Sequence, residues 1–290
     1  MEQNDVLNTD RLMALRPLNM DLADDAWKAK EQQRAHSLRY FDFLVAVSQF
    51  LGFLMLVLSG YYFSVVDRGF QWGAEGVNVT DEDALRPRIG FGNVNFHGFF
   101  MTIAFVFFQG EALLSYRLHR HEPKWMVSCV HGAFHFGAVI LVVFAMIAIV
   151  NHKDLSPIPL RHMYSIHSWI GVGIIAVYII QLGVGFLAFF FPKLSRDLRR
   201  QFLPVQRTVG LIVFSASIAQ VLLGNQNYQS IQSSAVMKYW QCATKLDCAD
   251  HSFLIQNFSM LAVVFYGISV VVLIVNPQWR RWATPDEKEA

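Results

Sequence analysis

Six stretches of the chain are apolar over the length of a bilayer crossing. They cover about 41–66, 95–116, 126–150, 164–191, 205–224 and 253–275. About 20 apolar residues suffice for one helical span, so each stretch predicts a spanning helix, numbered one to six in chain order. One such run could be the buried helix of a large soluble protein, but six in a chain of this length argue against that. The expected fold class is therefore an all-α membrane protein with six transmembrane helices. Residues 1–38 are polar and mixed in charge, with Asp5, Asp10, Asp21, Asp24 and Asp25 among Arg and Lys. They predict a partly disordered tail with a short helix over about 20–35. The tail lacks the apolar core of a signal peptide, so no cleavage is expected. The domain division is a tail over 1–38, a membrane domain over 39–276 and a second tail over 277–290.

Charge adds an orientation. If both termini are cytosolic, the inside segments hold 17 of the 24 Lys and Arg and the outside segments 7. The short loops weigh most: Arg117, Arg120 and Lys124 in one, and Lys193, Arg196, Arg199 and Arg200 in the other. Positive charge inside predicts cytosolic termini. Asn78-Val79-Thr80 then forms a glycosylation acceptor in an outside loop. Cys242 and Cys248 share the last outside loop, where an oxidising space favours a disulfide between them. Cys129, at the cytosolic end of helix three, is expected to be a packing residue. Hydrophobic residues make up 54% of the chain and charged ones 16%, and the net charge is +2. That composition fits a lipid bilayer as partner and gives no reason to expect nucleic acid. None of the three cysteines is spaced for a zinc site.

The candidate chemistry lies in the histidines. Ionisable groups inside membrane helices are costly and call for a purpose. His97, near the start of helix two, and His167, near the start of helix four, sit at the same depth, because both helices run from outside to inside. Two imidazoles at one depth on different helices are what an axially ligated haem needs. The competing reading is hydrogen bonding between helices. His131 lies near the inner end of helix three, and the residue at its depth in helix five is Gln206, a poor partner for haem iron beside an imidazole. His135 is one turn from His131 on the same face and cannot readily supply the opposite side.

Several motifs, in order, carry a resemblance. They are Asn95-Phe96-His97, Glu111 to Arg117, Lys124 to His131, Tyr164-Ser165-Ile166-His167-Ser168-Trp169-Ile170-Gly171, and Pro204-Val205-Gln206-Arg207. Over about 38–224 the chain resembles the cytochrome b561 family of ascorbate-dependent transmembrane electron carriers. The resemblance implies a homodimer in which helices two to five form a four-helix haem-binding bundle with haem b near each face. It implies His97 and His167 as axial ligands of the outer haem. It implies His131 as one ligand of the inner haem, with Gln206 where the family has the second histidine. Arg117 and Lys124 match positions used for cytosolic ascorbate, although any inner loop is basic. The family often has another basic residue one turn after Lys124, where this chain has Ser128. His152 and Tyr164 match positions that contact the outside substrate.

The function implied is electron transfer from cytosolic ascorbate to monodehydroascorbate or a ferric chelate, in the plasma membrane or an endomembrane vesicle or lysosome. Ligands about one turn in from each surface of a core about 30 Å thick put two haems roughly 15–20 Å apart. Losing the inner one would slow or stop transfer. Gln206 and Ser128 therefore motivate a second reading, a degenerate one-haem relative with a binding or regulatory role.

Overall fold

The computed structural model describes residues 3–66, 69–72, 93–154, 161–235 and 251–280, and side chains from Asp25 onward within these except 230–235 and 251–253. Asn78, Cys242 and Cys248 lie outside the described residues. Among those described there are six long helices and no strand: α1 Gln3–Val65, α2 Asn93–Leu118, α3 Lys124–Asp154, α4 Ile166–Phe189, α5 Arg196–Ala235 and α6 His251–Val275. Each contains a stretch long and apolar enough to cross a membrane, so the six expected runs are the six helices.

The chain divides into two compact units, Met1–Ala46 and Val47–Ala290. In the first, helix extends back to Gln3, well beyond the 20–35 stretch expected. Residues 22–39 contain no Gly or Pro and are rich in Ala, Lys, Gln, Glu and Arg, which favour helix at little entropic cost. Exposed Lys28 and Asp25 lie one turn apart at 3.8 Å. His36 and Tyr40 make an edge contact at 4.9 Å.

The second unit holds α2–α6 and the rest of α1, and its polarity is inverted relative to a water-soluble bundle. Large apolar side chains stand outward, among them Phe50, Phe53, Phe136, Phe144, Ile180 and Phe265. Small and polar ones are buried: Ser48, Ser59, Ser217, Ser259 and Ser269. Lipid tails solvate the former, while close backbone approach and interhelical hydrogen bonds join helices where lipid is the solvent. Ser59 and Ser259 meet oxygen to oxygen at 2.6 Å between α1 and α6. A central apolar core joins Ala104 and Phe105 of α2, Ala138 and Val142 of α3, Tyr178 of α4 and Val213 of α5. These are the four helices expected to form the inner bundle.

Helix α2 has a wide-turned π stretch at Ile103–Phe108. In an unbroken α-helix, His97 and Glu111 would face the same way to within about 40°. A π stretch accommodates an extra residue and rotates the later turns of the helix by roughly 100°. His97 accordingly meets α3 and α4, whereas Glu111 meets α1 and α6.

Candidate functional site

His97 is placed from the start of α2. Asn95, two residues earlier and fully buried, donates its amide to Val66 O at 2.7 Å and Gly69 O at 2.9 Å. Tyr228 of α5 donates to Asn95 Oδ1 at 3.0 Å. The turn after α1, the first turn of α2 and the end of α5 are thus tied together beside the histidine. His167 is placed from the start of α4, where Ser165 caps the helix by accepting from Ser168 N. The two imidazole centroids are 6.4 Å apart and their planes stand at 87°.

That spacing can be tested against a shared metal. Metal–imidazole bonds are about 2.0–2.1 Å, which puts each ring centroid about 3.2 Å from the metal and two opposed centroids about 6.4 Å apart. His97 Nδ1 lies 3.0 Å from Ala145 O in α3. A carbonyl only accepts, so Nδ1 carries the proton and Nε2 is left bare for a metal. His167 Nδ1 faces the amide of Gln220 at 2.8 Å.

The other end of the bundle differs. His131 is oriented in the same manner as His97, with Nδ1 2.7 Å from Ala112 O. Its ring touches Tyr116 at 5.3 Å and His135 at 4.5 Å. His135 Nδ1 lies 2.8 Å from the Tyr178 hydroxyl, so it is bound within the core. Gln206 is occupied between helices. It donates to Gln181 O at 3.3 Å, and Gln181 donates back to Gln206 O at 2.9 Å. The amide pair closes α4 onto α5 at the position where the resemblance implies a second imidazole.

The remaining candidates fall into two groups. Arg117 is buried and donates through Nη2 to Ile274 O at the end of α6, where a cation suits the last carbonyls. Its Nη1 has no hydrogen-bond partner among the described residues. Lys124 opens α3, exposed. Ser128, one turn on, bonds back to Lys124 O at 2.9 Å and meets the Tyr116 hydroxyl at 3.1 Å. At the His97 end, half-buried His152 precedes Lys153, whose ammonium sits 5.4 Å from the centre of the exposed Tyr164 ring.

One expectation is corrected. Cys129 does not pack; it is exposed, because it shares an outward face of α3 with Trp125, Gly132 and Phe136, away from His131 and His135.

Two comparisons with known proteins bear on this arrangement. Residues 96–233 match the family described as eukaryotic cytochrome b561. A Caenorhabditis elegans protein named "Putative transmembrane ascorbate-dependent reductase CYB561 homolog" is 30% identical over 260 residues, covering 87% of this chain and 89% of its own length. The chain belongs to the cytochrome b561 family. The "Transmembrane ascorbate-dependent reductase CYB561" of Mus musculus is 28% identical, covering 85% of this chain and 88% of its own. The "Plasma membrane ascorbate-dependent reductase CYBRD1" of Rattus norvegicus is 29% identical over 66% of this chain. With six apolar helices, this cytochrome b561 is an integral multi-pass membrane protein. The family's group is haem b. The donor set of His97 and His167 fits it by spacing and by the free Nε2 of His97. The set of His131 and Gln206 does not fit a bis-imidazole haem.

Sequence reading missed Gln220, Gln181 and the buried cluster around Glu111. Gln49 donates to both Glu111 carboxylate oxygens, at 2.9 and 3.1 Å, and the Tyr266 hydroxyl to one at 2.9 Å. The available signal was a polar amide or acid inside an apolar run, which costs free energy unless partnered.

Proposed function

We propose that this cytochrome b561 is an ascorbate-dependent transmembrane oxidoreductase, with both termini cytosolic, and that His97 and His167 hold its outer haem. The observation that carries the reading is the 6.4 Å separation of those two imidazoles on different helices. Haem, when bound there, supplies reversible one-electron chemistry at a low-spin iron. The surrounding residues do the rest. Ala145 O holds the His97 ring by its Nδ1–H. Arg117 and Lys124 attract an anionic donor, with Nη1 of Arg117 still able to donate a hydrogen bond. His152 and Tyr164, with Lys153 over the Tyr164 ring, form the acceptor's approach at the other face. The ascorbate anion gives up one electron and releases one proton to water on its side. At the other face monodehydroascorbate gains the electron with a proton from water, whereas ferric iron gains the electron alone. The relatives' names support the donor.

A second reading is favoured by one observation, the Gln206–Gln181 pair. With no second imidazole opposite His131, the inner haem is held weakly or not at all; on the second reading that gap stops transfer across the membrane, and the chain has a binding or regulatory role. Full-length protein in sealed vesicles decides between them. Internal ascorbate should reduce an external ferric chelate faster than protein-free vesicles do. A rate equal to the protein-free control, with the haem at His97 and His167 intact, would leave the second reading.

A further inference from the structure

Three histidines near the two ends of the bundle are steered through Nδ1, and one of them is steered differently. His97 faces Ala145 O and His131 faces Ala112 O. Both partners are carbonyls, which can only accept. His167 faces the side-chain amide of Gln220, which has a donor end and an acceptor end.

The approach of Gln220 is built into both helices. Gly171 follows His167 by one turn, and Gly224 follows Gln220 by one turn. A Cβ at Gly171 would stand 2.8 Å from Gln220 Nε2, and one at Gly224 would stand 2.7 Å from His167 Cε1. Only glycine leaves room for the imidazole and the amide together. In the present orientation Gln220 Nε2 donates to His167 Nδ1 and also to His167 O. The proton of the imidazole then sits on Nε2, which is left with no lone pair for a metal. Gln220 Oε1 is meanwhile buried with no hydrogen-bond partner among the described residues, which a buried oxygen rarely tolerates.

Exchanging the two ends of the amide addresses both points. The oxygen then accepts Nδ1–H, gaining the bond it lacks, and the imidazole Nε2 of His167 is freed of its proton. The bond from the amide to His167 O is lost, and because two carbonyl oxygens repel, the side chain turns away from that atom, which already serves as a helical acceptor. We propose that Gln220 is the positioning residue of His167: its amide oxygen fixes the ligating form of the imidazole and so sets how tightly the outer haem is held and how readily it is reduced. The proposal rests on His167 being a ligand, as argued above. Outer partners of metal-bound histidines act in this way by fixing ring orientation and donor strength.

The test uses full-length protein in detergent, with haem dissociation, low-spin electron paramagnetic resonance and midpoint potential as readouts. Gln220→Leu should speed loss of the haem by about 10- to 100-fold, the usual cost of removing such a partner. Gln220→Glu keeps an acceptor and should retain the haem within about threefold of the parent. Its midpoint should fall, since a more basic partner strengthens the imidazole as a donor and favours ferric iron. His167→Ala is measured alongside. If it removes the low-spin signal while both Gln220 variants match the parent in dissociation and potential, the positioning role is wrong. If His167→Ala leaves the signal unchanged, the ligand assignment fails and takes the proposal with it. Should Gln220→Leu not fold, the potential of Gln220→Glu decides: an unchanged midpoint overturns the proposal.

Discussion

The two ends of the bundle share one motif and differ in what stands across from it. At each, a helix presents a histidine whose Nδ1 meets a carbonyl on a neighbouring helix: His97 with Ala145 O, and His131 with Ala112 O. At the first end a second ring stands opposite at 6.4 Å. At the second, Gln206 has turned to Gln181 instead. The difference shows that orienting an imidazole and setting a second one across from it are separate tasks. The fold performs the first at both ends and the second at one. The Gln206 amide nitrogen bonds to the next helix, so the packing is kept at a position that offers iron no imidazole.

Breaking the complete end should have the largest effect. His97→Ala should abolish the low-spin bis-imidazole spectrum, because His167 cannot fill both axial positions, and an unchanged spectrum would remove the assignment. Completing the other end should come next. Gln206→His should raise haem content toward two per chain, add a second low-spin component and speed reduction by ascorbate. No gain in haem would mean that His131 is not a ligand, or that closure of α4 on α5 excludes the group.

A matched pair of glycine substitutions sharpens the contrast. A Cβ at Gly224 would meet His167 Cε1 at 2.7 Å, and one at Gly185 would meet Gln206 Nε2 at 2.6 Å. The distances are similar, but a ring held at iron cannot retreat, whereas the tip of a glutamine can. Gly224→Ala should therefore weaken haem retention by about tenfold, in the range for a misplaced metal ligand, and Gly185→Ala should leave it unchanged. Equal effects in haem-retention assays would show that the two ends are not functionally different. The smallest effect is expected at the Glu111 cluster, which touches neither candidate pair. Tyr266→Phe removes a donor to a buried carboxylate and should cost about 1.5–3 kcal/mol of stability. The haem spectrum should not change, and thermal unfolding followed by absorbance reads both.

Much of the fold was legible in the sequence because run length alone measures a bilayer. The pairing of His97 with His167 was legible too, since alternating helix direction fixes relative depth. Gln206 stood out as a missing imidazole, but nothing in sequence spacing tells where an amide will turn, so Gln181 was invisible. Gln220 was invisible for the same reason. The π stretch at Ile103–Phe108 has no signature in an all-apolar segment, and it decides that Glu111 faces α1 and α6 rather than the histidines. The fate of Cys129 depended on which face of α3 turns inward, and an apolar run without strong periodicity does not reveal that.

The asymmetry between the two ends comes down to a haem count. Purified full-length protein, saturated with haem and stripped of loosely bound excess, should give one low-spin haem per chain by extracted-haem quantitation and a reduced-minus-oxidised spectrum. Two low-spin haems per chain in the unaltered protein would contradict the account, because a second axial ligand for His131 would then have to exist.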